Sequence, residues 1–271
     1  MDLAAYFARI GFEGEARPDL QTLKALHRAH ALAIPYENFD VQLGRSLTPD
    51  PQAAFDKIVR RGRGGWCYEM NGLLGLALSA IGFKVTRLAG AAVRGIMGEE
   101  AVGNHLVLLV DLNGAPWIAD VGFGDGPRDP FPLREGPIVS GGFAYGLQRL
   151  DADWWRVNNH PDGGAPHFDF RLEPADPALL AAKCLELQTS PASPFVQNAI
   201  AQRHVAGEIR MLRGRVFRRV SPGLKTESLI ASADELVALL HREFALDLPQ
   251  AATLWPQICA RHEAVFAAPA S

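Results

Sequence analysis

Apolar residues follow a helical period through the first third of the chain and an alternating one after residue 83. Leu3, Tyr6, Phe7 and Ile10 mark one helical face, and Leu20, Leu23 and Leu26 mark another after the Pro18-Asp19 start signal. A further helix is predicted over 51–60. The next begins near Cys67 and runs through Leu73, Leu74, Leu76, Ala77 and Ile81, with Gly82 as its stop. From Phe83 the period falls to two, and strands are predicted at 85–93, 104–112, 115–121, 143–150, 154–158 and 168–172, enough for a sheet or barrel. After Pro174 the pattern predicts a short helix, a hairpin turning at Gly214 and two C-terminal helices. Ser232 and Glu235 form a capping box for the first of these. The residues alone give an α+β fold with a site between a helix and a sheet.

The segment Arg63-Gly64-Gly65-Trp66-Cys67-Tyr68-Glu69-Met70-Asn71 puts a cysteine where glycines give way to a helix. A helix start carries unpaired N–H groups and partial positive charge, and both favour a thiolate. The two glycines allow the sharp turn that exposes the following side chain in nucleophile elbows. Taken alone, Cys67 reads equally well as a small buried hydrophobe.

A nucleophilic cysteine needs a base, and the base needs a group that fixes its tautomer. One hairpin supplies both. Asn113-Gly114 joins two apolar runs, the strongest short-range signal for a two-residue turn. Counting back from Leu112 opposite Ala115 puts Val107 opposite Asp120 and His105 opposite Gly122, so His105 and Asp120 share a face as diagonal neighbours roughly 7–8 Å apart. Singly, His105 reads as a core histidine and Asp120 as a cap on the turn at 122–126. Together on one apolar face they are costly to bury unless they bond to each other or to a third group.

Cys67, Cys184 and Cys259 are far apart with no CxxC pair, which disfavours a disulfide framework and a structural zinc site and points to a reducing, cytoplasmic compartment. No metal is expected. The 271 residues are 48% hydrophobic, ample for a core, and the formal charge of -3 with no long basic run argues against a nucleic-acid partner. Basic residues are dense only at Arg60-Arg61-Gly62-Arg63 and from Arg213 to Arg219, which are solvated surface or a contact for coenzyme phosphates. No signal peptide or membrane span is evident.

Residues 63–71 resemble the cysteine signature of the arylamine N-acetyltransferases. Ile34-Pro35-Tyr36-Glu37-Asn38-Phe39-Asp40 resembles that family's Pro-aromatic-Glu-Asn element, and His105-Leu106-Val107 and Asp120-Val121-Gly122-Phe123-Gly124 resemble its histidine and aspartate motifs. Ser190-Pro191-Ala192-Ser193-Pro194-Phe195 is a weaker match. The chain departs from the usual pattern at Met70, Tyr68, Tyr36 and Asn104, none of them a catalytic position.

The resemblance implies a cysteine-protease/transglutaminase-like fold with an N-terminal helical bundle (1–82), a central β-barrel (83–188) and a C-terminal α/β lid (189–271). It implies a Cys67, His105, Asp120 triad that carries acetyl from acetyl-coenzyme A through a thioester to arylamines, arylhydrazines or arylhydroxylamines. Mapped by motif, Phe123, Gly124 and Asn71 fall at the coenzyme, and Tyr36, Tyr68 and Phe195 at the acceptor. Glu37 and Arg63 form a supporting ion pair, and Asn71 also reads as support. The expected partners are coenzyme A and a small aromatic amine or hydrazine, with the chain a monomer or weak homodimer. Two other readings of the same triad are a Cys-His-Asp hydrolase or transglutaminase-like amidase, and a binding module with a vestigial triad.

Overall fold

Side-chain caps set the early helix starts. Asp2 accepts the Ala5 N–H (3.0 Å), Asp19 that of Thr22 (2.8 Å) and Asp50 that of Gln52 (3.0 Å). In the computed structural model, which describes residues 1–266, these caps open α1 (Leu3–Ile10), α2 (Leu20–Ala33) and, after the short β1 (Tyr36–Glu37) and α3 (Phe39–Gln42), α4 (Pro51–Phe55). The helix expected over 51–60 changes pitch midway, since Asp56–Arg60 is a π-helical turn. Helix α5 (Cys67–Ile81) ends as predicted at Gly82, in the left-handed region with φ 107°.

The alternating region contains β2 (Lys84–Ala92), the one-turn α6 (Arg94–Met97), β3 (His105–Leu112), β4 (Ala115–Ala119), β5 (Phe131–Pro132), β6 (Gly136–Ser140), β7 (Phe143–Arg149), β8 (Trp155–Asn158) and β9 (His167–Pro174). They pair in the order β5-β4-β3-β2-β9-β8-β7-β6, a sheet that curls into a nearly closed barrel. The central hairpin has the counted register, from Leu112 opposite Ala115 to Leu108 opposite Ala119. Asn113 and Gly114 both have positive φ (54° and 87°), as the two-residue turn requires. Strand β4 stops at Ala119, one residue short of Asp120, because the Asp120 N–H leaves the ladder for His27 Nε2 at 3.0 Å.

After α7 (Pro177–Thr189) and α8 (Pro194–Gln197) the chain forms a meander, β10 (Ile200–Val205), β11 (Glu208–Arg213), β12 (Val216–Ser221) and β13 (Leu224–Leu229), followed by α9 (Ala233–Phe244) and α10 (Trp255–Phe266). Only the β11–β12 hairpin was expected here. Strand β1 joins the meander by pairing with β10, so the segment before α5 is also the edge of the C-terminal sheet. One core packs α1, α2 and α5 against β3 and β4 through residues such as Tyr6, Leu26, Leu74 and Leu108, and another packs α9 on the meander through Leu236, Leu240 and Phe217. The site lies where helices, barrel and meander meet. Among the described residues no helix is long and apolar enough to cross a membrane.

Candidate active site

A buried ion network holds the start of α5. Glu69 accepts the Trp66 N–H at 3.2 Å, one of the donors a helix start leaves unpaired, and pairs with Lys57 at 2.9 Å. Lys57 also pairs with Asp40 at 3.0 Å, and Arg63 bridges Glu37 (2.7 Å) and Asp40 (3.2 Å). All five side chains are buried. Burial alone would lower the Lys57 pKa, but the surrounding Glu37, Glu69 and Asp40 carboxylates raise it. Burial raises Glu69 by more than Lys57 offsets, whereas Lys57 and Arg63 hold Asp40 below the usual carboxylate range despite its burial.

Gly64 and Gly65 are required by proximity. A Cβ on Gly64 would collide with the Pro35 carbonyl oxygen, and one on Gly65 would lie 2.8 Å from Glu69 Cβ. The two glycines run alongside β1, with Glu37 N–H donating to the Gly65 carbonyl at 2.9 Å. The sharp turn expected of them is at Gly62, whose φ is 65°.

His105 Nε2 meets Asp120 Oδ2 at 2.6 Å. Asp120 Oδ1 accepts the Asn71 side-chain amide and the Gly122 N–H, each at 2.8 Å. Burial pushes the Asp120 pKa up, but His105 and these donors outweigh it and hold the carboxylate below its ordinary value. His27 is fixed as a neutral imidazole: Nε2 accepts the Asp120 N–H, so Nδ1 is the nitrogen that donates to the Arg128 carbonyl at 3.0 Å. His105 packs between two rings, with centroids 5.4 Å from Phe123 and 4.9 Å from Phe168.

Cys67 is the first residue of α5 and is buried, and its Sγ donates to the Asn104 carbonyl at 3.8 Å. No Cys67–His105 hydrogen bond is present among the described residues. Burial pushes the thiol above its ordinary pKa, and the backbone N–H groups of Leu106 and Tyr68 offset this only in part. The helix start alone therefore does not lower it, contrary to the expectation from position.

Cys67, His105, Phe123, Tyr36 and Phe195 line one cavity of about 740 Å³, within the roughly 300–1,000 Å³ of small-molecule sites. Three expected contacts do not line it. The Tyr68 hydroxyl, expected at the acceptor, donates instead to the Gly103 carbonyl at 2.6 Å, because the second helical position points away from the face that carries Cys67. Asn71, expected at the coenzyme, is fully buried, and its amide is used by Asp120, Leu106 and Val121. Gly124 lies under the cavity floor against Gln202 and Tyr36. Phe195 is held by Asn38 and Gln42, which both donate to its carbonyl, and its ring meets Trp66 edge-on at 5.4 Å.

Sequence reasoning missed Asp40, Lys57, Glu69, His27 and Gln202. The one signal for Lys57 was its place among the apolar residues Phe55, Ile58 and Val59. Arg213 and Arg261, distant in sequence, line the same cavity. Arg213 is exposed with no side-chain partner among the described residues, and Arg261 has a buried Nε without one.

The N-acetyltransferase family model matches residues 19–253. An arylamine N-acetyltransferase of Mycolicibacterium smegmatis is 34% identical over 265 residues, spanning 92% of this chain and 93% of its own length. The pineal gland isozyme of Gallus gallus is 33% identical over 282 residues, spanning 92% and 95%. The structure of the Mycobacterium marinum arylamine N-acetyltransferase in complex with CoA matches with a TM-score of 0.86 at 29% identity, over 97% of this chain and 99% of that one. Sequence and fold agree over nearly the whole length, and the chain belongs to the arylamine N-acetyltransferase family of acyltransferases.

Proposed function

We propose that this chain carries an acetyl group from acetyl-coenzyme A to the nitrogen of an arylamine, arylhydrazine or arylhydroxylamine through a thioester on Cys67. The observation that carries the reading is the 2.6 Å His105–Asp120 pair, whose imidazole lines the cavity that holds Cys67. Asp120 occupies Nε2, which leaves Nδ1 to take the thiol proton when the Cys67 side chain turns from Asn104 toward the imidazole. The Cys67 sulfur then attacks the thioester carbonyl, and the coenzyme sulfur leaves with the proton returned by His105. In the second half, the amine attacks the Cys67 acyl carbon, His105 takes the proton lost by nitrogen, and Cys67 sulfur leaves. The Leu106 and Tyr68 N–H groups beside the sulfur are the donors for the oxyanion.

The coenzyme phosphates fit the cavity wall at Arg213 and at the unpartnered Nε of Arg261. Tyr36 and Phe195 face the acceptor. Cys67, Cys184 and Cys259 are all free thiols, which suits a reducing cytoplasm. Intact-mass measurement after brief exposure to acetyl-coenzyme A without acceptor tests the reading: a gain of one acetyl group is expected, discharged by added arylamine and absent in Cys67→Ser. An unmodified wild-type chain overturns it.

A further inference from the structure

Two polar side chains enter the cavity beside Cys67 without a protein partner. Tyr36 and Gln202 are opposed across the β1–β10 pair, so they leave the same face of the sheet. They are 7% and 8% exposed, and both line the cavity that holds Cys67 and His105. Among the described residues, neither the Tyr36 hydroxyl nor the Gln202 carboxamide has a hydrogen-bond partner. The carboxamide is also held in place by glycines. A Cβ on Gly124 would collide with Gln202 Oε1, and one on Gly164 would lie 3.2 Å from Nε2. Loops 122–126 and 163–164 are thus kept bare where they pass this side chain.

A carboxamide and a hydroxyl that face the cavity with no protein partner are left to cavity water, and a ligand that displaces that water must replace its hydrogen bonds. We infer that Gln202, with the Tyr36 hydroxyl, binds a neutral amide of the ligand, making Gln202 a specificity-determining residue of this cavity. The inference rests on the acetyl-transfer reading for the identity of the ligand, and two ligands of that reaction carry the chemistry: an acceptor with an amide substituent, or the pantetheine arm of the coenzyme. A carboxylate in the same place is disfavoured. Asp125 Oδ2 lies 3.6 Å from the Cβ position of Gly164, on the same stretch of wall. Burial moves its acidity to about 6, so it is anionic at neutral pH.

Equilibrium titration at neutral pH separates the possibilities. The wild type, Gln202→Met and Tyr36→Phe are titrated with 4-aminobenzamide, with 4-isopropylaniline of similar shape and no amide, and with coenzyme A. Gln202→Met is expected to weaken 4-aminobenzamide, coenzyme A or both by about tenfold or more, with 4-isopropylaniline changed by less than about twofold. Loss for 4-aminobenzamide alone places the contact on the acceptor, and loss for coenzyme A alone places it on the pantetheine arm. Equal weakening of 4-isopropylaniline, or no change for either amide ligand, overturns the inference. If Gln202→Met fails to fold, Tyr36→Phe, which removes a single hydroxyl, decides by the same comparison. Binding requires no acetyl transfer, so a wild type that binds these ligands but forms no acetyl adduct refutes the reaction and leaves this contact standing or falling on the titrations.

Discussion

Lys57→Met removes the cation at the centre of three buried carboxylates and keeps much of the side-chain volume. Glu69 and Asp40 lose partners at 2.9 and 3.0 Å, and Arg63 still reaches Glu37 and Asp40 but none of the Glu69 charge. Breaking a buried ion pair from one side costs about 3–5 kcal/mol. At roughly 2–4 °C per kcal/mol for a chain near this size, Tm falls by about 6–20 °C. The pH dependence follows from the signs of the shifts. Asp40 is held below its ordinary pKa in the native state, so its share of wild-type stability is present above the unfolded value and is lost as pH falls through the folded one. Glu69 is already above its ordinary value, and without Lys57 it rises further. The folded variant then holds a proton that the unfolded chain does not, and the variant gains stability as pH falls through the raised value.

Melting curves at pH 8, 7, 6 and 5 check this reasoning. The deficit relative to wild type is expected to be widest at pH 8 and to shrink toward pH 5, and Lys57→Met combined with Glu69→Gln should recover a large part of it at pH 8. A deficit under about 2 °C at pH 7 would mean the network contributes no more than a surface pair. One that grows on acidification would show that Glu69 is not the group left uncompensated.

Asp120→Asn keeps an oxygen for Asn71 and Gly122 but turns an N–H toward His105 Nε2, which moves the imidazole proton to Nδ1 and removes the base; kcat/KM should fall by roughly 10⁴ with little change in Tm. A loss under tenfold in steady-state kinetics would exclude this role. Gly122→Ala puts a Cβ 2.6 Å from Asn71 Nδ2 and 2.9 Å from Cys67 Cα, so calorimetry should show a loss of about 1–3 kcal/mol together with lost activity, and an unchanged Tm refutes the close approach. Arg213→Glu should raise KM for acetyl-coenzyme A about tenfold and hardly affect a short acetyl thioester without phosphates; equal effects on both donors would remove Arg213 from the phosphate contact.

What the sequence disclosed was local. The α5 boundaries were legible because Cys67 follows glycines and Gly82 closes the last turn, and the hairpin register was legible because Asn113-Gly114 admits few turns. The meander was not: β13 is exposed along its whole length, and β10 carries Gln202, Arg203 and His204 where an apolar alternation would have marked it. Long-range partners were equally silent. His27 is 93 residues from Asp120, and nothing in its helical setting marks it as the acceptor that ends β4. Motif position does not fix exposure at Tyr68, since adjacent helical residues point about 100° apart, so when Cys67 faces the cavity its neighbour faces Gly103.

For Cys67, the proposed nucleophile, position at a helix start is an incomplete account. The N–H groups of Leu106 and Tyr68 favour the thiolate, yet burial outweighs them for a sulfur that ionises alone. In the proposed reaction the proton need not leave the site. Moving it from Cys67 to His105 leaves the triad with the single net negative charge it has with a neutral thiol, a neutral imidazole and the Asp120 carboxylate, so the unfavourable step is charge separation between neighbours and not burial of a new charge. Asp120 lowers the cost of that separation because it stays ionised, held below its ordinary pKa by His105, Asn71 and the Gly122 N–H. In the resting geometry the thiol donates to the Asn104 carbonyl, a contact that suits the neutral form. Activation in the proposed reaction is therefore a property of the hairpin acting on the helix: Asn71, behind the cavity wall, and the Gly122 N–H hold Asp120 ionised and so set how readily Cys67 gives up its proton.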